Sequence, residues 1–116
     1  VRVLYSILIY VDESKVDAMT PHEEDDHIDR HLKIHEQLRA RGKLGPVVRL
    51  QATKTAKQLH TDGEVRVIDG PFAETKEQLL GFYIVDCDSQ DEALDVARSL
   101  PSLGTIFEIR PVKRSF

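Results

Sequence analysis

Twice along this chain, a run of β-branched and aromatic side chains leads into a helix-start signature, an apolar helix face and a further extended run. That order constrains a short chain strongly, because every sheet face and helix stripe must bury its apolar side against another element. Residues 1–11, VRVLYSILIYV, are interrupted only by Arg2 and Ser6, which predicts a strand covered on both faces at the centre of a sheet. Residues 12–19 read as a polar connection. Thr20-Pro21-His22-Glu23 then offers an N-cap, a proline at the first helical position and a capping-box glutamate. Gly42 supplies a left-handed stop, after Arg39 and Arg41, whose charges suit the negative end of the helix dipole. The spacing predicts a helix over 21–41 with Ile28, His31, Leu32, His35 and Leu38 on the sheet-facing stripe.

Three short extended segments follow at 44–51, 53–60 and 64–69, the last two joined at Thr61-Asp62-Gly63, where Asp-Gly favours a tight hairpin. Residues 81–87 form an apolar strand. Ser89-Gln90-Asp91-Glu92 is a second capping box, opening a helix that carries Ala93, Val96, Ala97 and Leu100 on one face and is ended by Pro101. The last strand spans 105–112. The resulting order, β-α-β-(β-β)-β-α-β, predicts an α+β fold: a ferredoxin-like split βαβ with an extra hairpin, its antiparallel sheet bearing two helices on one face. The opposite face needs a cover, and the simplest is the same sheet of a second copy, so a homodimer through the sheet face is expected.

At 116 residues, two independent cores would each be too small to bury enough surface, so residues 1–116 are read as a single domain. The net charge of -4 repels phosphate backbones and anionic membranes, and the short basic clusters lack interleaved aromatics, so no nucleic acid and no membrane is expected as partner. Cys87 is the only cysteine, which excludes an internal disulfide. The apolar start is too short to span a bilayer and lacks a basic flank and cleavage site, which favours the cytoplasm.

The segment joining the third and fourth main strands, DGPFAETKEQLLGFY from Asp69 to Tyr83, is not a bland loop. Gly70-Pro71 enforces a sharp turn that would hold the Asp69 carboxylate and the Phe72 ring at set positions. The run DGPFAETKEQLLGFYIVDC, with DEAL after it and EIRPV at residues 108–112, resembles the YCII-related family, in particular its DGPF-domain branch. The resemblance extends from VLYSILIYVDE through LRARG to Pro111-Val112. It implies a dimeric α/β barrel built from two ferredoxin-like domains. It also implies a His–Asp active site, with the histidine on the first helix and the aspartate at the start of the turn, here Asp69, with His31 best matched and His35 as the substitute. Similar bacterial proteins are often encoded beside extracytoplasmic-function sigma factors, which implies a regulatory link.

A neutral imidazole beside a carboxylate can act as general base, so His31 with Asp69 as orienter could serve proton transfer, elimination or hydrolysis on an unknown small molecule. The other outcome is a histidine packed at a core edge and an aspartate capping its own turn. His35, Phe72, Glu74 and Lys76 are the candidate substrate contacts. Phe72, Phe82 and Tyr83 suit the core better than an aromatic ligand cage, and the charges at Glu74, Lys76 and Glu77 suit a solvated helical turn. His27, His31 and His35 recur at i, i+4 and i+8, but a straight helix cannot bring all three to one ion, so no metal and no cofactor is expected. The alternative to an enzyme is a non-catalytic dimeric ligand-binding or accessory protein.

Overall fold

The computed structural model describes residues 3–116; Val1 and Arg2, the first two positions of the predicted opening strand, lie outside the described residues. The elements run β1 (Leu4–Asp12), α1 (Glu13–Asp17), α2 (Pro21–Ala40), β2 (Leu44–Arg49), a 3-10 turn (Thr53–Thr55), β3 (Lys57–His60), β4 (Arg66–Asp69), β5 (Glu77–Asp86), α3 (Gln90–Ser99) and β6 (Ile106–Pro111). Strands β2-β5-β1-β6 form one antiparallel sheet and β3-β4 a separate hairpin, which is the expected ferredoxin-like α+β order. Both long helices start at the predicted N-caps, with the full capping box at Thr20 and only its Ser89 side-chain half at α3, where Glu92 Oε2 accepts from Asp88 N at 2.9 Å instead of from Ser89 N. Thr20 Oγ1 accepts from Glu23 N while Glu23 Oε1 accepts from Thr20 N, each at 3.1 Å, and Ser89 Oγ accepts from Glu92 N at 3.2 Å. Gly42, at φ 68°, takes the left-handed position past the end of α2.

Burial alternates along the two central strands. Tyr5, Ile7, Tyr83 and Val85 are buried and pack with Leu38 of α2 and with Ala93, Val96 and Ala97 of α3. The residues between them, Leu4, Ser6 and Leu8 on β1 and Phe82 and Ile84 on β5, are only half-buried on the opposite face. No helix among the described residues is long and apolar enough to cross a membrane.

Four local readings differ from expectation. The connection after β1 contains helix α1, because Asp12 caps it: its Oδ1 accepts from Ser14 N at 3.0 Å and from Ser14 Oγ at 2.7 Å. The segment 53–60 is extended only from Lys57, since its start is bent into the 3-10 turn that Glu13 holds by accepting from Thr53 N at 3.1 Å. Glu77 opens β5 by pairing with Asp12 instead of belonging to a helical turn. Phe72 does not complete the core; it is 88% exposed, because the corner that carries it stands out from the main sheet beside β3.

Strand β5 carries two irregularities beside α2. Between Ile9 and Tyr10 of β1 the register shifts, Ile9 facing Gly81 and Tyr10 facing Leu79, so Leu80 has no partner on β1. Such a bulge re-aims side chains. At Gly81 the backbone of β2 comes so close that an added Cβ would sit 2.1 Å from Val48 O and 3.1 Å from Arg49 Cα. The Gly81→Ala variant is therefore expected to lose about 1–3 kcal/mol of unfolding free energy, as overpacked sites do. A urea-denaturation midpoint unchanged from wild type would contradict this close approach.

Candidate functional site

Helix α2 buries only Leu38 completely; Ile28 and Leu32, on the stripe predicted to face the sheet, are 40% and 50% exposed. The histidines of that stripe go inward instead. His27, His31 and His35 lie one turn apart along α2 and, with Tyr83 of β5, line a cavity of about 150 Å³. Its remaining walls are mostly apolar, with Ile9, Val47, Val48 and Leu80 among them, so the bulge delivers Leu80 to the cavity. Arg49, at the end of β2, also reaches it and has no ion-pair partner among the described residues.

The four polar rings are joined. Tyr83 Oη lies 2.7 Å from His31 Nδ1 and 2.6 Å from His35 Nε2, and His31 Nε2 lies 3.3 Å from His27 Nε2. The ring centroids are 4.9 Å apart for His27–His31 and 5.2 Å for His35–Tyr83. A phenol hydroxyl has one proton to give and lone pairs to accept, so it can serve both imidazoles at once.

Burial sets the charge state. It holds His31 down to about 4, with the neighbouring His27 and His35 and then Arg49 and Arg30 adding to the depression. Burial, followed by Arg49, also lowers His27, and burial, followed by Arg39, lowers His35. Desolvation pushes the Tyr83 phenol well above its ordinary value. Near neutral pH the cluster is therefore three neutral imidazoles and a neutral phenol, all able to pass protons and none holding a charge.

Of the residues picked out from the sequence, His31 and His35 meet at Tyr83. Asp69 does not join them within the chain: it sits at the end of β4, its side chain 84% exposed, with Oδ1 2.7 Å from Lys57 Nζ. Gly70, at φ 103°, and Pro71 do form the sharp corner, and Gln58 Nε2 fixes it by donating to Gly70 O at 3.2 Å and to Pro71 O at 2.6 Å. Phe72 lines an open trough along β3, while Glu74 and Lys76 are exposed in the bend before β5; none of the three lines the histidine cavity. Among the described residues, no group of three or more His, Cys, Asp or Glu side chains is placed to hold a metal ion. Tyr83 is the participant that sequence reasoning placed in the core in preference to an aromatic ligand cage; it is in the core, 1% exposed, yet its hydroxyl joins the site. His27 was visible only as the first of three histidines at helical spacing.

The family model for the YCII-related domain matches residues 3–115, and the chain belongs to that family. The chain is also similar to an uncharacterized protein of Rhizobium meliloti (strain 1021), at 52% identity over 115 residues, a match covering 94% of this chain and 91% of that protein.

Because the His31 value is depressed in the folded chain, its contribution to stability is complete above the unfolded value of about 6.5 and is lost as pH falls toward about 4. Between these limits the unfolded state binds the extra proton. After allowance for screening at a half-buried ring, the loss is on the order of 1–2 kcal/mol. Urea midpoints measured across that window should fall less steeply for His31→Gln than for wild type; parallel curves would mean that His31 is not held neutral.

Proposed function

We propose that the protein is a small-molecule enzyme in which the imidazole–phenol cluster moves a proton to or from a ligand held in the cavity under α2. The observation that carries this reading is the Tyr83 hydroxyl within hydrogen-bond distance of both His31 and His35, inside a cavity that all three line. Its size suits a ligand about as large as a substituted benzene ring or a short branched acid. Apolar walls favour an apolar body, and the unpaired Arg49 guanidinium favours an anionic end such as a carboxylate. Proton transfer next to a carbonyl, or elimination started by it, needs a neutral base near the carbon acid and a donor for the oxygen; imidazole and phenol provide both.

Tyr83 is the group that orients His31 within the chain, a role assigned to Asp69 on resemblance. We propose that the working form is a homodimer through the open face of the sheet, where Leu4, Leu8, Phe82 and Ile84 await a cover. Leu8→Asp is expected to leave a folded chain sedimenting at the 13.2 kDa monomer mass where wild type sediments at twice it. A wild-type monomer at micromolar concentration would sink the dimer.

For the chemistry, the screen is thermal shift against short-chain and aromatic carboxylates, with mass spectrometry of what is recovered. Wild type is expected to be stabilised and to return an altered compound, while His31→Ala and Tyr83→Phe each lose about 10²-fold or more in turnover. Asp69→Asn is expected to stay within a few-fold of wild type. A loss matching that of His31→Ala would bring the Asp69 of a second chain into the site. A stabilising ligand always returned unchanged would make the cavity a binding site without catalysis.

A further inference from the structure

The hydrogen bonds inside the cluster constrain one another, and the constraint can be worked through atom by atom. If Tyr83 Oη–H donates to His31 Nδ1, then His35 must carry its proton on Nε2, because two lone pairs would otherwise face each other at 2.6 Å. His31, with Nδ1 accepting, then carries its proton on Nε2 and donates it to His27 Nε2, which leaves the His27 proton on Nδ1. The reverse polarity is equally self-consistent: His27 Nε2–H donates to His31 Nε2, His31 Nδ1–H to Tyr83 Oη, and Tyr83 Oη–H to His35 Nε2. A third arrangement, in which His31 Nδ1–H and His35 Nε2–H both donate to Tyr83 Oη, turns the phenol proton away from both rings, and among the described residues that hydroxyl has no other hydrogen-bond partner, so it leaves a buried donor unmet at a cost of about 1–3 kcal/mol. In the two arrangements that use every proton, His31 and His35 share one tautomer and His27 has the other.

We infer that His35, Tyr83, His31 and His27 form a single proton relay that runs along α2 and switches between these two polarities. In one passage a proton binds His35 Nδ1, and the His35 Nε2–H bond breaks as a new O–H forms on Tyr83. The original Tyr83 proton passes to His31 Nδ1, the His31 Nε2 proton passes to His27 Nε2, and the His27 Nδ1 proton leaves. One proton enters and one leaves, each ring ends neutral, and no oxidant or reductant is involved.

This inference rests on the proton-transfer reading and deepens it, because it says where the ligand's proton goes. His31 is the innermost ring of the three and, with a value of about 4, holds a proton poorly. It works as a link, and the relay ends are the stations. Those ends lie eight residues apart on α2, about 12 Å along the helix axis, which is too far for one small ligand to touch both. The arrangement fits exchange between a ligand at one end of the cavity and solvent at the other, with no imidazolium held among apolar walls. Arg49 and Arg30 face His27 and His31, Asp26 sits beside His27, and Arg39 beside His35, so the charges around both ends disfavour a stored proton on balance.

The test uses the uniformly ¹⁵N-labelled full chain and needs no substrate. Long-range ¹H–¹⁵N correlation spectra of the histidine rings near pH 7.5 report the Nδ1–H fraction of each ring, assigned with His→Gln variants at 27, 31 and 35. The expected result is an equal Nδ1–H fraction for His31 and His35 and the complementary fraction for His27. In Tyr83→Phe the equality between His31 and His35 is expected to be lost, while His27 and His31 stay complementary. Opposite tautomers at His31 and His35 in folded wild type, or equal ones at His27 and His31, would overturn the relay even if Tyr83→Phe fails to fold. Coupled tautomers in a protein that turns over no carboxylate in the screen would retain the relay and reject the enzyme; turnover with uncoupled tautomers would do the reverse.

Discussion

The Tyr83 hydroxyl is the contact on which the placing of α2 depends. The helix has little apolar surface to offer, for only Leu38 near its end is buried, while Ile28 and Leu32 stay half in water. From His27 to His35 it meets the sheet largely through imidazoles, with Ile34 and Leu38 packing on the core. A buried ring nitrogen or hydroxyl left without a partner costs about 1–3 kcal/mol, so histidines can take a sheet-facing stripe only where the sheet supplies a polar group. Tyr83 provides it from the apolar middle of β5, with its ring in the core and its oxygen serving two turns of the helix. The joint between helix and sheet is thus the same set of atoms as the candidate site, and anything that changes those hydrogen bonds also changes how α2 sits.

This dual role explains which parts were legible beforehand. The fold follows from signals that act locally: the capping box at Thr20, the N-cap at Ser89, the stops at Gly42 and Pro101, and the Asp-Gly hairpin all appear in the structure because each satisfies its own backbone groups whatever surrounds it. The site depends on which side chains meet across 48 to 52 residues of sequence, and no local pattern encodes that. Histidine spacing marked the helix half of the cluster. A tyrosine in an apolar strand, however, looks the same whether its hydroxyl meets water, a backbone carbonyl or an imidazole.

The corner at residues 69–72 shows the opposite case, in which a signal strong in sequence has a local meaning in the chain. Gly70-Pro71 does set a fixed turn, and Gln58 pins it from β3, while His60 in turn holds Gln58 Oε1 at 2.9 Å. The Asp69 carboxylate is nevertheless taken by Lys57 across the hairpin, in a pair so exposed that its worth is about 0–1 kcal/mol. So much geometry around so weak a pair, with Phe72 left in water beside it, is hard to account for by the stability of one chain. The corner lies outside the chemistry under α2, whose rings are already in contact within the chain.

Electrostatics bears on the anionic ligand proposed for the cavity. Arg49 disfavours a proton on His27 and His31, and His27 and His35 disfavour one on His31. The cluster therefore stays neutral and keeps its hydrogen-bonded order. On the proposed reading, an anion settling against Arg49 would offset that guanidinium's field at the nearest rings, so the charge that held the ligand would also make the imidazoles more basic while it was bound. A cavity built this way gains proton affinity when an anionic ligand arrives and loses it when the ligand leaves. That is the order of events a proton-transfer site requires, and apolar walls strengthen it by keeping out the water that would screen it.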